Sequence, residues 1–161
     1  MNLAKALSIA TTAHQNQFDN SGLPYALHTL KVMFILIEQG IKDEHTLILA
    51  VLHDLLEDHK YTKYNADMLR ADGFSEEIVS DLIMLTRSKH EDYEVDYIPR
   101  VGSSYRTALV KRADLIHNSD IFRLKGVSEK DMKRMAKYHR SFVYLQAKIK
   151  EFESCINGGG R

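Results

Sequence analysis

The stretch that decides the fold is Ile48-Leu49-Ala50-Val51-Leu52-His53-Asp54-Leu55-Leu56-Glu57-Asp58. Its apolar side chains at positions 48, 51, 52 and 55 recur at intervals of three and four residues, which is the spacing of one face of an α-helix. Asp43 is suited to cap the start of this helix, because its side chain can accept a hydrogen bond from an amide of the first turn. The stretch therefore predicts a core-facing helix with the polar pairs His53-Asp54 and Glu57-Asp58 at its end.

The same helical period continues along the rest of the chain, which has only two prolines and eight glycines. No segment shows the strict alternation typical of a strand, so we expect an all-α helical bundle. Without a repeat or a linker, the chain is predicted to form one domain over residues 1–156, followed by a flexible tail over 157–161. The longest predicted helix begins at a capping box formed by Ser128 and Asp131. Its apolar stripe is predicted to lie in the core and comprises Met132, Met135, His139, Phe142, Leu145, Ile149 and Phe152.

Charge and length exclude several classes of protein. The 161 residues include 22 basic and 22 acidic side chains, whereas a nucleic-acid-binding domain of this size normally carries a basic surplus. No apolar run approaches the roughly 18 residues of a membrane span, and the first residues lack the apolar core of a signal peptide. The single cysteine, Cys155, cannot form an internal disulfide. We expect a cytoplasmic protein that binds neither nucleic acid nor a membrane, and its oligomeric state stays open.

The spacing His53-Asp54-x-x-Glu57-Asp58 is not a composition accident, since chance predicts only about 0.003 such patterns in this chain. If the helix continues, His53 lies one turn before Glu57 and Asp54 one turn before Asp58, so the acidic groups form two adjacent rows. Clustered carboxylates repel each other unless a charge neutralises them, and a divalent cation is the usual partner where imidazole and carboxylate groups converge. The alternative is a solvated helix end that binds nothing.

A second polar pair, Asp114 and Asn118, is separated by one helical turn within an apolar setting. A buried carboxylate needs a partner. Lys111 or Arg112 could supply it through an ordinary salt bridge. With the HDxxED stretch in the same chain, ligation of a metal by Asp114 is the alternative that we favour.

The chemistry of such a site is coherent without any reference to other proteins. A cation held by imidazoles and carboxylates lowers the pKa of a bound water and polarises a phosphoryl oxygen. Glu57 or Asp58 could accept the proton of that water, because two neighbouring carboxylates raise the pKa of one of them. Lys111, Arg87 and Asn118 are available to neutralise the charge that develops on a phosphate.

Five motifs follow one another between about residues 5 and 122. They are Ala13-His14-x-x-Gln17, Ser21-Gly22-x-Pro24-Tyr25-x-x-His28, Leu52-His53-Asp54-x-x-Glu57-Asp58, Leu85-Thr86 and Val110-Lys111-x-Ala113-Asp114-x-x-His117-Asn118. In this order and at these separations, the motifs resemble the HD-domain metal phosphohydrolases of the RelA/SpoT alarmone-hydrolase branch.

The resemblance implies a helical HD fold with one bound manganese ion. The positions that match its ligands are His28, His53, Asp54 and Asp114. Glu57 and Asp58 match the acidic pair that handles the attacking water, Asn118 matches a residue near the phosphates, and Ser21 falls in the loop that borders the nucleotide. The implied reaction is hydrolysis of the 3′-diphosphate of guanosine tetra- or pentaphosphate, with release of pyrophosphate from this small-molecule partner.

The chain departs from the family pattern at two places. Asp19 and Asn20 stand where basic residues usually pack on the guanine, and Leu115 and Asp120 stand where arginines are common. Hydrolysis of a different nucleotide phosphate and a non-catalytic, metal-dependent nucleotide sensor are therefore kept as alternatives. A third alternative, from another class, is a purely structural helical module.

The remaining histidines are interpreted as structural. His14 and His117 are expected to be hydrogen-bonded core residues rather than additional ligands. His45, His59 and His90 have no partner at the spacing of metal ligands and are expected to be exposed.

Overall fold

Helices make up nearly all of the regular structure in the computed structural model, which describes residues 3–19, 21–57, 63–124 and 126–158. The expectation of an all-α bundle is confirmed, and β-pairing among these residues is limited to an isolated bridge between Phe18 and Pro24. A π-helical turn spans Tyr93–Tyr97 and a 3₁₀ turn spans Ile121–Arg123. The α-helices are α1 (Leu3–Ala13), α2 (Ala26–Glu38), α3 (Glu44–Leu52), α4 (Ala66–Ala71), α5 (Glu76–Leu85), α6 (Ile98–Val101), α7 (Tyr105–Asn118) and α8 (Glu129–Gly158).

Helix α3 forms the centre of the bundle, because its residues from His45 to Leu52 are all buried. It packs against α1, α2, α5 and α7, and α8 in turn packs along α7. The apolar positions Ile48, Val51 and Leu55 are completely buried, as their spacing predicts. Helix α3 therefore brings the polar residues that follow it to the place where α2 and α7 also meet.

Two predicted helix starts are confirmed by their caps. The Asp43 side chain accepts a hydrogen bond from the Thr46 amide at 3.0 Å and begins α3. Ser128 and Asp131 form the predicted capping box, with the Asp131 amide donating to Ser128 Oγ at 3.2 Å and the Ser128 amide donating to Asp131 Oδ2 at 3.0 Å. These side chains satisfy amides that have no partner within the first turn of a helix.

The prediction that the central helix continues through Glu57 is wrong. Helix α3 ends at Leu52, and residues 53–57 form a tighter turn in which the Leu55 amide donates to the Leu52 carbonyl at 2.9 Å. Such i to i−3 bonds wind the chain more tightly than an α-helix does. The two parallel acidic rows expected from an α-helix therefore do not form.

The side chain of His53 explains why the helix stops. In a continued helix, the Ala50 carbonyl would accept a hydrogen bond from the Asp54 amide. Instead, Nδ1 of His53 donates to that carbonyl at 2.8 Å. The imidazole thus replaces the Asp54 amide as the donor to this carbonyl. Asp54 is therefore not held in a helical turn, and its side chain faces His28 of α2.

The apolar stripe of α8 is only partly in the core, so the prediction for its first half is wrong. Met132 is 55% exposed and His139 is also exposed, whereas Leu145 and Ile149 are completely buried. Helix α7 has 14 residues and α8 has 30, so at about 1.5 Å per residue α7 can cover only about half of α8. Leu145 and Ile149 of the C-terminal half of α8 complete the core, Tyr138 and Phe142 pack against it while partly exposed, and the first turns of α8 extend beyond it.

His45 is 2% exposed, so the prediction that it lies on the surface is wrong. Its Nε2 lies 3.2 Å from Asp81 Oδ2, and its Nδ1 lies 3.7 Å from Glu77 Oε2. The residue belongs to the part of α3 that packs against α5. His90 is exposed as predicted, and His59 lies outside the described residues.

The domain boundary stays a prediction. Helix α8 runs to Gly158, residues 159–161 lie outside the described part of the chain, and nothing tests the division into residues 1–156 and a tail over 157–161. Within the described ranges, no helix combines the length and the apolar character needed to cross a membrane.

Candidate metal centre

Four polar side chains from distant parts of the sequence meet where α2, α3 and α7 pack together. His28 comes from α2, His53 and Asp54 follow α3, and Asp114 comes from α7. His28 Nε2 lies 3.2 Å from both His53 Nε2 and Asp114 Oδ1. Asp54 Oδ2 lies 3.1 Å from His53 Nε2 and 3.5 Å from His28 Nε2. The structure thus brings the four predicted ligands into one cluster, and their role as ligands stays a prediction.

The cluster has the donor spacing that a bound divalent cation requires. Bonds from such an ion to nitrogen or oxygen are about 2.0–2.2 Å long, so neighbouring ligand atoms lie about 3.0–3.5 Å apart. The closest His–Asp separation in the cluster is 3.1 Å and the longest recorded one is 3.7 Å. For His28, His53 and Asp114, which are all buried, the three donor atoms lie within 4.8 Å of one another. A divalent cation therefore fits this site.

Each imidazole in the cluster is held through its second ring nitrogen. His53 Nδ1 donates to the Ala50 carbonyl, so its Nε2 is the nitrogen that faces the cluster. His28 Nδ1 lies 2.6 Å from Nδ1 of His117, and the two rings stack with centroids 4.9 Å apart. Burial, followed by the neighbouring His28, lowers the pKa of His117 to about 4. At pH 7 His117 is therefore a neutral acceptor for His28, and the Nε2 atoms of His28 and His53 face one point.

Both aspartates keep their negative charge, although Asp114 is buried and Asp54 is half-buried. Burial raises the pKa of Asp114, but Lys111 and the two imidazoles outweigh it and hold this pKa well below its usual range. Lys111 Nζ lies 2.8 Å from Asp114 Oδ2, and Asn118 Nδ2 donates to Asp114 Oδ1 at 2.5 Å. The pKa of Asp54 is also held well below its usual range, because the imidazoles outweigh its burial. A cation would meet two ionised, oriented carboxylates.

Tyr25 touches the cluster, although the sequence analysis gave it no role. Its hydroxyl donates to Asp54 Oδ2 at 2.5 Å, and its ring lies 5.2 Å from the ring of His28. Burial, followed by the charge of Asp54, raises the pKa of this phenol, so it remains a proton donor. The signal in the sequence was its position three residues before His28, which places both side chains on one side of a helical turn.

Two cavities adjoin the cluster and share Tyr25, Asn118 and Tyr138 in their walls. The loop-side cavity has a volume of about 350 Å³, and its wall includes Phe18, Asp19, Ser21, Arg123 and Arg134. The helix-side cavity has a volume of about 220 Å³, and its wall includes Glu57, Arg87, Tyr93, Lys111 and Lys137.

Glu57 lies in the wall of the helix-side cavity, next to the cluster. Its pKa is raised, first by partial burial of the carboxyl group at the cavity wall and then by the charge of Asp54, although the residue as a whole is exposed. A carboxylate whose pKa is raised accepts a proton from water more readily than an ordinary one. Asp58, its predicted partner, lies outside the described residues.

The other predicted substrate residues divide between the two cavities. Lys111 and Arg87 line the helix-side cavity, Ser21 lines the loop-side cavity, and Asn118 lines both. The Ser21 hydroxyl donates to the Arg123 carbonyl at 2.7 Å, which ties its loop to the segment after α7. Their roles toward a substrate stay predictions.

Asp19, one of the departures from the family pattern, organises the loop. Its Oδ1 accepts hydrogen bonds from the amides of Ser21 at 2.8 Å and Leu23 at 3.0 Å, and its Oδ2 lies 2.5 Å from Arg123 Nη2. The cationic groups of the loop-side cavity come from Arg123 and Arg134. Sequence reasoning missed both arginines, because they lie after the last recognised motif.

The other departures are at positions with structural roles. Leu115 is 2% exposed and lies in the wall of the helix-side cavity. Asp120 accepts a hydrogen bond from the Phe122 amide at 3.0 Å and begins the 3₁₀ turn. Asn20 lies outside the described residues.

Comparisons with known proteins give consistent results. No protein-family model matches the chain. It is 35% identical over 122 residues to the bifunctional (p)ppGpp synthase/hydrolase SpoT of Escherichia coli strain K12, with 72% of this chain and 17% of that protein covered. The match to the guanosine-3′,5′-bis(diphosphate) 3′-pyrophosphohydrolase of Escherichia coli O157:H7 has the same identity and coverage. The chain therefore spans 17% of the length of these curated relatives.

One solved structure shares the fold. It is that of a metazoan ortholog of SpoT, described as hydrolysing ppGpp and as having a role in starvation responses. The two chains superpose with a TM-score of 0.73 at 23% identity, and the match covers 92% of each. The same helical bundle is thus present in both proteins.

Proposed function

Because the chain belongs to the RelA/SpoT-type HD-domain family, we propose that it is a metal-dependent phosphohydrolase that removes the 3′-diphosphate of guanosine tetra- or pentaphosphate. The observation that carries this proposal is that donor atoms of His28, His53 and Asp114 lie within 4.8 Å of one another beside two cavities, with Asp54 in contact with both imidazoles. The names of the relatives support the choice of substrate.

The proposed ligands of the metal are His28, His53, Asp54 and Asp114. A divalent cation bound there supplies Lewis-acid activation of water and of a phosphoryl oxygen. We propose manganese as the ion, since the family resemblance implies it and carboxylate oxygens suit it. Intrinsic affinities also favour zinc, so loading with each ion in turn tests this choice.

Glu57 is proposed to accept the proton of the attacking water, with Asp58 as its partner. Its position in the helix-side cavity and its raised pKa support this role. Lys111, Arg87 and Asn118 are proposed to neutralise phosphate charge.

The nucleoside is proposed to bind in the loop-side cavity, whose loop carries Ser21. The resemblance predicts a basic residue at position 19, where this chain has Asp19. In this chain the positive charge of that wall comes instead from Arg123 and Arg134. Arg123 is already paired with Asp19, which distinguishes this chain from the family pattern. Hydrolysis of another nucleotide phosphate is therefore an explicit outcome of the test.

The test is incubation of the purified, manganese-loaded protein with guanosine tetraphosphate and with a panel of other nucleotides. We expect release of pyrophosphate from guanosine tetraphosphate. Release of orthophosphate from another nucleotide would change the substrate and keep the class of reaction. Stoichiometric metal without any turnover would favour the sensor, and absence of stoichiometric metal would favour the structural module.

A pair of variants separates the enzyme from the sensor. Glu57→Gln, alone or with Asp58→Asn, is expected to lower the rate by orders of magnitude while nucleotide binding persists. Glu38→Gln, at an exposed position of α2, is the matched control and is expected to keep full activity. Equal activity of Glu57→Gln and the wild-type protein would contradict the proposed role of Glu57.

The setting of the domain is also a proposal. We propose that residues 1–156 form one HD domain with a tail over 157–161, that the protein acts in the cytoplasm, and that its partner is a nucleotide rather than a nucleic acid or a membrane. The balanced charge supports a partner other than a nucleic acid, and the single cysteine supports a reducing compartment.

A further inference from the structure

The 86–92 loop joins α5 to the π-helical turn and carries Arg87 into the wall of the helix-side cavity. Every side chain in its sequence, Thr86-Arg87-Ser88-Lys89-His90-Glu91-Asp92, is polar or charged. None of these residues is buried, whereas Leu85 before the loop and Tyr97 after it are. A segment without buried apolar side chains has little local stability of its own. Polar contacts must therefore hold the loop in place.

Arg100 supplies such contacts from outside the loop. Its Nε and Nη2 lie 2.8 and 2.7 Å from the two carboxylate oxygens of Glu91, which makes the pair bidentate. Nη2 also donates to the Thr86 carbonyl at 3.2 Å, and Nη1 donates to the Met84 carbonyl at 2.6 Å. One guanidinium group thus connects the last turn of α5 with both ends of the loop.

Arg100 is itself held by the core. Its neighbours in α6, Ile98 and Val101, are buried. Its Cζ lies 5.5 Å from the ring centroid of Tyr97, and the Tyr97 hydroxyl donates to the Leu85 carbonyl at 2.6 Å. The group that holds the loop is therefore fixed relative to α5.

Glu91 transmits this position to Arg87. The backbone carbonyl of Glu91 accepts a hydrogen bond from Arg87 Nη2 at 3.0 Å, and within the described ranges this is the hydrogen bond that orients the Arg87 side chain. The Glu91 carboxylate also accepts from the Ser88 amide at 2.7 Å. Hydrogen bonds from Arg100 and from Ser88 lower the pKa of Glu91, so its carboxylate is ionised at pH 7. A shift of Glu91 would therefore move the acceptor of the Arg87 guanidinium group.

We propose that Arg100 is a positioning residue of the site, which fixes the 86–92 loop through Glu91 and Thr86 and thereby places Arg87 in the wall of the helix-side cavity. Arg100 lines neither of the two cavities at the metal centre and acts through the loop. The proposal rests on the proposed function only for the use that the site makes of Arg87. Lysine cannot replace Arg100, because an ammonium group has the charge but not the planar fork that reaches several acceptors at once.

Arg70 forms the same kind of pair away from the two cavities. Its Nε and Nη2 lie 2.6 and 3.1 Å from the two carboxylate oxygens of Glu76, and the pair joins α4 to α5. Arg70 is exposed and lines neither cavity. Arg70→Lys therefore removes a bidentate pair without a change at the 86–92 loop, and it is the matched control for Arg100→Lys.

Hydrogen exchange measured by NMR on ¹⁵N-labelled protein tests the order of the loop without any substrate. The protein is loaded with zinc, because manganese is paramagnetic and broadens nearby signals. Arg87 Nε is buried, and Arg87→Lys identifies its signal. In Arg100→Lys, exchange of this Nε proton and of the Ser88 and Glu91 amides is expected to become about ten-fold faster or more, as loss of a charge-assisted bidentate pair implies.

Exchange elsewhere verifies that the effect is local. The amides of α3 are expected to exchange at the wild-type rate in Arg100→Lys, and Arg70→Lys is expected to leave the rates of α3 and of the loop unchanged. Glu91→Gln is a second variant that keeps a carbonyl oxygen for one of the two bonds from Arg100. It is expected to accelerate loop exchange less than Arg100→Lys does.

A double-mutant cycle tests whether Arg100 acts through Arg87. Arg100→Lys is expected to lower kcat/KM by about ten-fold in the wild-type background and by less than about two-fold in the Arg87→Ala background, because residues that act through one another are not additive. Arg70→Lys is expected to have no effect in either background.

Three results would overturn the proposal. They are unchanged exchange of the Arg87 Nε proton in Arg100→Lys, equally faster exchange in α3, and equal losses of kcat/KM in the two backgrounds. The exchange measurement is separate from the proposed function. A protein that hydrolyses no nucleotide but shows faster exchange in the loop alone retains the positioning role of Arg100, whereas an active enzyme with unchanged exchange lacks it.

Discussion

In the described part of the chain, the buried residues His45 and His53 both meet carboxylates, and the two places differ in geometry. At one end of α3, His45 lies between Asp81 and Glu77, and each ring nitrogen faces a different carboxylate. After the other end of α3, His53 Nε2 faces the same small region as His28 Nε2 and Asp114 Oδ1. At His45, two carboxylates contact different nitrogens of one ring. At His53, donor atoms from several side chains face one point.

The difference teaches that burial and acidity do not by themselves indicate a metal site. His45 and His53 are 2% and 3% exposed, so burial does not distinguish them. What distinguishes them is Nδ1, which in His53 donates a hydrogen bond to the Ala50 carbonyl and so fixes the direction of Nε2. A free lone pair fixed in direction is what a metal requires of an imidazole.

The largest expected effect breaks the convergent site. His53→Gln should remove stoichiometric binding of the proposed manganese ion and lower the proposed phosphohydrolase activity by orders of magnitude, because the proposed cation would lose a fixed nitrogen ligand. Elemental analysis of protein purified without chelators measures the metal content. His45→Gln is the matched control and should retain it. Full metal content in His53→Gln would refute the assignment of this residue.

The next effect is a loss of stability when the ion pair between Lys111 and Asp114 is broken. Asp114→Asn should lower the free energy of unfolding by about 3 kcal/mol, since it leaves Lys111 as a poorly compensated buried charge. Urea denaturation in the presence of a chelator measures this without a contribution from bound metal. Asp67→Asn removes one partner of the exposed pair Asp67–Arg70 and should cost less than about 1 kcal/mol. Equal costs for the two variants would contradict the burial argument.

A smaller effect concerns the support of His28. His117→Phe keeps a ring against His28 but removes the nitrogen that lies 2.6 Å from His28 Nδ1. We expect manganese affinity to fall by about 10-fold to 100-fold, the usual effect of removing a group that orients a ligand. Calorimetric titration of the metal-free protein measures it. His139→Phe, on the exposed face of α8, should bind the ion as the wild-type protein does, and an unchanged affinity in His117→Phe would show that His28 needs no such support.

The smallest expected effect is the pH dependence of stability at His45. Burial, followed by Arg106, lowers the pKa of His45 below its ordinary value of 6.5, and Asp81, Asp43 and Glu77 only partly oppose them. The unfolded chain therefore takes up a proton at a higher pH than the folded protein does. The stability linked to His45 is fully present above about pH 6.5 and is lost as the pH falls through the lowered pKa.

His45→Gln lacks this titration. Between about pH 7 and about pH 5.5, both measured with chelator, the wild-type protein should lose more of its free energy of unfolding than the variant loses. Thermal denaturation at several pH values tests this. Parallel pH profiles for the two proteins would show that the pKa of His45 is the same in the folded and unfolded states.

Much of the fold could be predicted from local patterns. Asp43 and Ser128 cap helices as predicted, because a short polar side chain just before an apolar repeat accepts hydrogen bonds from amides of the first helical turn. His14, expected in the core, is 1% exposed and lies 2.6 Å from Gln17. Helix α4 was not predicted, although Asn65 caps it through the Met68 amide at 2.9 Å. Six residues give too short an apolar repeat to be recognised.

The errors arose where a distant contact overrides the local pattern. Helix α3 stops at Leu52 because the imidazole of His53 takes a backbone acceptor, which no periodicity records. His45 is buried because α5 packs on it, and Met132 is exposed because α7 is too short to cover it. Contacts between distant elements also place Tyr25, Arg123 and Lys137 at the site, and the sequence pattern did not predict them.

The sequence alone determined which groups are available and in what order, because residue type and short-range spacing set helix propensity, capping and the chemistry of each side chain. Only the tertiary structure decided which of these groups share a point in space, since packing of α2, α3 and α7 brings together residues that lie up to 86 positions apart, from His28 to Asp114. It also decided which ring nitrogen of His28 and of His53 faces the cluster and which cations line the same cavity. Those facts depend on distances and directions between elements, and a linear pattern does not contain them.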